Sequence, residues 1–499
     1  MPGSAALGGQ GQGWRGMASR PWLPACLALG VALWRIGTPS FSGDEAASLS
    51  AARRSAPQLW HMLGSTDAVH GAYYVLLWMV ARLAGTGEFA ARLPSALAVA
   101  GAAAGITAIG WRLASRRAGL TAGTAFAVFP VASKYAQDAR SYAFVIALAV
   151  LASYLFVRAG QAPARRRWLA AYALALTALG WANLMALLII PAHAVTLAAS
   201  RARRVAGWLA AAAAAVAGVS PLLLAAWRQR LQTARFLELT TPATLTHVPG
   251  RLTESLPVLA VAATIAVTGL VTGLVTGSRA VARLAALCLP WLLVPPAILL
   301  GAGVVWPVFD SRYIVFCTPA LALLTGAGLD IAAARAARLP GAGPAASGVA
   351  LVTGLALVAA IGLPAQFRLR APAGHLQNAR LIAQVLAARK RPGDAVLYYP
   401  PWWLLFASAY PAGFAGLCDP GIAQSPVLAG NLTGTPVPVP RQRAALAASS
   451  RIWLIGEGRL KPDPALAGGG WHAVRIWHGG LAYLVLYQRS GVRQDPAGP

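Results

Sequence analysis

The apolar run Trp22 to Gly37 (WLPACLALGVALWRIG) and the polar stretch Phe41 to Leu49 (FSGDEAASL) decide how the rest of the chain is read. The first has the composition of a membrane helix. The second sets two adjacent acids, Asp44 and Glu45, just beyond its end. The whole chain has 14 Asp and Glu against 42 Lys and Arg. Neighbouring carboxylates are therefore rare in it, and carboxylates at the edge of a membrane helix are costly enough to mark function.

Composition fixes the class. The chain is 57% hydrophobic and 11% charged, where a soluble protein carries about 25% charged residues. Its apolar residues come in repeated runs, each near the ~20 residues that cross a bilayer. This predicts an α-helical polytopic membrane protein. The formal charge of +28 would suit nucleic acid, but its placement excludes that partner. The basic residues sit in short clusters between apolar runs: Arg116-Arg117, Arg165 to Arg167, Arg201 with Arg203-Arg204, and Arg335 with Arg338. Short basic loops mark the cytoplasmic face and rest well on anionic lipid headgroups. Cys26, Cys288, Cys317 and Cys418 have no spacing that suggests a metal or a disulfide framework.

The basic clusters also order the spans. Eleven are expected, beginning with an uncleaved first helix at Trp22–Gly37 that runs outward from a cytoplasmic tail of residues 1–21. The transmembrane module covers residues 22–363. Its first outer loop is expected at 38–92, its second at 133–141 and its third at 305–313. Residues 71–83 read as a helix dipping into the outer half of the bilayer, because a full crossing would place two arginine clusters outside. The second span is Leu93–Leu113 and the third Leu120–Val131. Residues 364–499 read as a soluble extracytoplasmic α/β domain, with helical periodicity at Leu376–Ala388 and strand composition at 395–399, 451–455 and 481–487.

Three outer loops carry the same kind of residue at membrane-helix ends. The first has Asp44, Glu45 and, at its far end, His70. The second has Lys134, Gln137, Asp138 and Arg140. The third has Asp310, Arg312 and Tyr313. A carboxylate is a competent general base for a hydroxyl or amine. Arginine and lysine are the natural partners of phosphate. A base with phosphate partners beside lipid points to displacement at a lipid phosphate. Asp44 has a competing role, since Asp is a favoured helix N-cap. Glu45 could equally serve the helix N-terminus.

In order along Trp22 to Leu324, Gly43-Asp44-Glu45-Ala46, His70 with Tyr73-Tyr74, Arg92-Leu93-Pro94-Ser95, Ala139-Arg140 with Tyr142, and Arg312-Tyr313 with Pro319 resemble the bacterial GT-C glycosyltransferases. These are integral-membrane enzymes akin to protein mannosyltransferases and the aminoarabinose transferase of lipid A. The chain departs from the pattern at His70-Gly71-Ala72-Tyr73-Tyr74, where the family has His-Pro-Pro-Leu-Tyr. It also has Asp138 where Glu is common. The resemblance implies an inverting transferase that moves a mannose- or arabinose-like sugar from a polyprenyl-phosphate donor to an envelope acceptor, outside the bacterial cytoplasmic membrane. Asp44, Glu45 and Asp138 are the expected catalytic residues. Lys134, Arg140, Arg312 and Tyr313 are expected on the donor phosphate. His70, Tyr73, Gln137 and Asp310 are expected on sugar or acceptor. No cofactor is assigned from the residues; a divalent metal stays open because relatives differ on it, and metal ligands are unassigned. The alternative is a flippase of a lipid-linked sugar, which should show ionisable or helix-breaking residues at mid-bilayer in paired halves.

The topology is open to direct measurement. A reporter fused after Arg166 is expected to read cytoplasmic and one fused after Ala465 extracytoplasmic. An outward signal from the first overturns the ordering of the spans.

Overall fold

The computed structural model describes residues 22–161, 165–200, 205–234, 239–340, 345–461 and 463–489. The N-terminal tail expected at 1–21 and the cluster Arg201, Arg203 and Arg204 lie outside them. The chain forms two compact units. One joins Met1–Trp34 to Arg92–Phe367, and the other joins Arg35–Ala91 to Arg368–Pro499. The first is helical and the second mixed.

In the helical unit each described stretch expected to span contains helix. Seven described helices are long and apolar enough to cross a membrane: Glu88–Leu113, Tyr142–Gln161, Ala206–Leu231, Leu256–Val275, Arg279–Gly303, Ser311–Ala336 and Ala345–Leu369. Leu23–Leu33 and Leu184–Ala199 are apolar but shorter. Arg116–Val128 is also short, and proline is the reason. Phe129 precedes Pro130 and is held extended (φ −64°, ψ 131°), so the helix stops and a second one, Pro130–Ala136, starts with proline in its first turn. The second loop expected at 133–141 therefore opens as helix.

The central helix is Ser311–Ala336. Its most apolar window is 89% buried, against at most 56% for the other six spans. Small residues allow this. A Cβ on Gly328 would fall 2.2 Å from the Ile265 carbonyl oxygen, and one on Gly326 would fall 2.4 Å from the Ala122 backbone nitrogen. Helices in lipid pack by such close backbone approach. The consequence for function is positional: Asp310 and Arg312 sit at the head of the most enclosed helix of the unit.

The mixed unit is assembled from both ends of the chain. Residues 35–91 contribute helices Gly43–Ala52, Ala56–Ser65 and Gly71–Ala84. The last has 14 residues, about 21 Å at ~1.5 Å per residue, short of the ~30 Å hydrocarbon core. The C-terminal part has strands β1 (Ala395–Tyr399), β2 (Ile422–Gln424), β3 (Thr435–Pro436), β4 (Arg451–Glu457), β5 (Trp471–Gly479) and β6 (Ala482–Arg489). The main sheet has the order β1-β4-β6-β5, with β1 parallel to β4 and the other pairs antiparallel. Leu397, Ile452, Leu454, Tyr483 and Val485 form its buried face with Leu446. The expected helix lies at Ala379–Arg389, capped by Asn378, whose Oδ1 accepts the Leu381 N–H at 3.1 Å.

Candidate functional site

The expected site residues divide between the units. Asp44, Glu45, His70 and Tyr73 belong to the mixed unit. Lys134, Gln137, Asp138, Arg140, Asp310, Arg312 and Tyr313 belong to the helical unit.

In the mixed unit the helix Gly43–Ala52 begins with a capping box. Ser42 is the N-cap, and its hydroxyl accepts the Glu45 N–H at 3.2 Å. The Glu45 carboxylate accepts the Ser42 N–H at 2.9 Å in return, which satisfies two of the donors a helix start leaves open. Glu45 is fully buried, and the same Oε2 meets His375 Nδ1 at 3.0 Å. This oxygen of Glu45 thus serves the architecture of the helix start. Asp44 is not the cap. It stands at the second position of the helix, half-buried, with its backbone carbonyl taking the Ser48 hydroxyl at 3.1 Å. The capping role that competed for Asp44 falls to its neighbours.

His70 ends a short 3₁₀ turn, Ala68–His70, with its Nε2 3.8 Å from Asp67 Oδ1. Asp67 is in the left-handed region at φ 61°, a conformation uncommon outside glycine. Its other oxygen accepts the Tyr74 hydroxyl, and the Tyr74 ring lies edge-on to His70. Tyr73 is buried in the following helix. Asp67 was not singled out from sequence, although an acid three residues before His70 was the available signal in so acid-poor a chain.

In the helical unit residues of the second and third loops meet around Tyr135. Its ring lies 5.2 Å from that of Tyr142, with Lys134 over it at 5.4 Å. Arg312 stands over Tyr142 at 5.9 Å. Burial pushes the Tyr135 hydroxyl to ionise well above its usual range; Glu254 and Asp138 add to this and Arg312 opposes it. Lys134 pairs with Glu254 at 2.8 Å, and Arg251 reaches the same carboxylate at 3.5 Å. Glu254 is itself left-handed at φ 58°. The Val131 N–H bonds to the carbonyl of adjacent Thr253 at 3.1 Å, which ties this turn to the Pro130 helix.

Asp310 holds Arg312. Its carboxylate accepts the Arg312 backbone N–H at 2.8 Å and the guanidinium Nε and Nη2 at 3.0 and 2.7 Å. Such a fork fixes the plane of the guanidinium. Arg312 stays 39% exposed while Asp310 is 18% exposed. Tyr313 packs on the buried cluster of Val248, Leu299, Phe309 and Ile314. Gln137 is buried, and its amide donates to the carbonyls of Ala32 and Trp34 at 2.9 and 2.8 Å. It closes the C-terminal end of the Leu23–Leu33 helix and keeps only its oxygen for a ligand. Asp138 is half-buried, and its carbonyl takes the Ser95 hydroxyl at 2.8 Å. Arg140 is buried. Among the described residues no three His, Cys, Asp or Glu are grouped to hold a metal ion.

A family model described as dolichyl-phosphate-mannose-protein mannosyltransferase matches residues 72–225. No curated protein matches the chain in sequence. Among solved structures the chain is similar to ArnT from Cupriavidus metallidurans in the apo state, at 16% identity and a TM-score of 0.60, over 95% of this chain and 98% of that one. The same enzyme bound to undecaprenyl phosphate matches at 17% identity and a TM-score of 0.55, with the same coverage. The archaeal oligosaccharyltransferase AglB from Archaeoglobus fulgidus, in complex with an inhibitory peptide and a dolichol-phosphate, matches at 9% identity and a TM-score of 0.54, over 89% of this chain and 70% of that one. The chain therefore has the GT-C fold, and the resemblance drawn from its motifs is borne out: it is a multi-pass membrane protein with a small strand-containing C-terminal domain.

The architectural role of Glu45 carries a stability consequence. Glu45→Ala removes an acceptor from the Ser42 N–H and from His375 and is expected to cost about 1–3 kcal/mol. Glu45→Gln keeps an acceptor at the capping position and should retain most of that stability. Thermal unfolding of the detergent-solubilised protein reads both, and equal melting of Glu45→Ala and the unaltered protein contradicts the assignment.

Proposed function

We propose that the chain is an inverting glycosyltransferase that moves a sugar from a polyprenyl-phosphate donor to an extracytoplasmic acceptor of the cell envelope. The observation that carries this reading is Asp44: an acid on a capped helix in a GT-C fold, relieved of capping by Ser42 and Glu45. The polyprenyl phosphates named with the similar ArnT and AglB structures support the donor class. The family model supports a mannose-like sugar, and the arabinose-like alternative rests on the motif resemblance alone. The working place is the bacterial cytoplasmic membrane, with the loops that carry these residues on its outer side.

Asp44 takes the proton from the acceptor hydroxyl or amine. The acceptor atom bonds to the anomeric carbon, and the bond from that carbon to the phosphate oxygen breaks with inversion. The electron pair leaves with polyprenyl phosphate. Arg312, oriented by Asp310, bears on that phosphate together with Arg140 and Lys134, because a phosphate departs readily when cations neutralise the charge it gains. Lys134 must then exchange Glu254 for phosphate, which makes Glu254 a positioning partner in the resting protein. Tyr313 completes the donor side. His70, Tyr73 and the remaining oxygen of Gln137 serve sugar or acceptor, and Asp138 is an auxiliary acid.

Asp44→Asn keeps side-chain size and removes the base. It is expected to fold, to bind donor and to lose roughly 10²- to 10⁴-fold in turnover. Arg312→Ala in the same transfer assay should lose about ten- to a hundred-fold, through a charge-assisted contact of ~1.5–3 kcal/mol. Full activity of the Asp44→Asn protein with labelled polyprenyl-phosphate sugar would sink the reading.

A further inference from the structure

At the far end of the Gly43–Ala52 helix from Asp44, three arginines gather without a carboxylate. Arg53 and Arg54 follow the helix directly, and Arg82 comes from the Gly71–Ala84 helix. None of the three forms an ion pair with an acid among the described residues. Arg53 donates to the Thr86 hydroxyl at 2.6 Å. Arg82 donates to the Ala52 and Arg54 carbonyls at 3.0 and 2.8 Å, so the carbonyls at this helix end are already met. Arg54 is the anomaly. It is 2% exposed, its Nη2 donates to the Asn431 carbonyl, and its buried Nε and Nη1 have no hydrogen-bond partner. A desolvated guanidinium with two idle donors is expensive, and helix capping does not account for it.

Arg54 lines a cavity of about 200 Å³. Arg53, Ser50, Gln58 and Ser408 supply further polar groups, while Leu404, Leu405 and Val427 make an apolar wall. We propose that this cavity is an oxyanion-binding site, taking a phosphate or carboxylate head whose attached chain lies on the apolar wall. Arginine presents a planar fork suited to both anions. Asp44 lies roughly 12 Å from the helix end at Ala52, at ~1.5 Å per residue, and Arg54 follows two residues beyond that end, so a phosphate bound here is not the one proposed to leave beside Asp44. The binding claim stands whether or not the chain transfers sugar.

The test is calorimetric titration of the full chain in detergent with inorganic phosphate and, separately, with hexyl phosphate. Arg54→Met fills the same space without a buried charge and is expected to melt at or above the temperature of the unaltered protein while losing one site per chain. Ala407→Phe, which fills the cavity and leaves the arginines intact, should lose the same site, so the result does not hang on one variant. Hexyl phosphate binding at least tenfold tighter than phosphate supports an attached chain on the apolar wall; equal binding refutes that chain and leaves a free oxyanion. The idea is overturned if the unaltered protein binds neither probe, or if both variants titrate like it. Arg312→Ala separates the two readings: the Arg54 component should survive it. Phosphate binding lost wholly with Arg312 belongs to the proposed donor site and refutes this one.

Discussion

Glu45 is the residue on which the mixed unit turns. It has no solvent exposure, so its carboxylate must be fully met by protein. It is met by Ser42 in its own helix and by His375, 330 residues further on. Neighbouring bonds repeat the connection. Ser40 donates to the Gln377 carbonyl at 2.9 Å, and Arg380 pairs with Glu88 at 2.7 Å. Tyr410 donates to the same Glu88 oxygen and accepts the Phe41 N–H. The direction of the helix that presents Asp44 is therefore set by residues from both ends of the chain, the buried Glu45–His375 bond being charge-assisted and shielded from water.

The helical unit solves a related problem with different groups. Acids are few, and those near Tyr135 are used to hold cations: Asp310 orients Arg312, and Glu254 draws in Lys134 and Arg251. Each carboxylate placed in this way holds a cation in place and lowers the cost of crowding positive charge. The arginines beyond the Gly43–Ala52 helix lack that arrangement, which is why their surroundings differ chemically from those of Arg312.

Much of the fold was legible in the sequence because lipid imposes long apolar runs. The expected strands at 395–399, 451–455 and 481–487 correspond to β1, β4 and β6. The strand β5 was missed for a physical reason: it is an edge strand, largely exposed, and its residues Trp471 to Gly479 alternate weakly between polar and apolar. The break at Pro130 was available from the proline itself. Among candidate site residues, the acids and cations were legible from rarity and placement. Their division of labour was not, since Glu45 with His375 and Lys134 with Glu254 are pairings across 330 and 120 residues that no local pattern encodes. The Ser42-x-x-Glu45 capping box and the Asp310-x-Arg312 pair were roles written locally.

The mixed unit is discontinuous in sequence: Arg35–Ala91 is completed only by Arg368 onward. During synthesis its first segment leaves the ribosome long before its second. At about 5–20 residues per second, the intervening helices impose a wait of roughly 15–60 s. Throughout it the Ser42–Glu45 turn has no His375, and the three short helices have only one another to pack against. The bilayer interface is the natural shelter for amphipathic helices in that interval. The chain's biogenesis is therefore ordered by its connectivity: membrane insertion of the helical unit precedes closure of the mixed one, and a ribosome stalled before Arg368 yields a protein whose spans are in place and whose carboxylate pair is not.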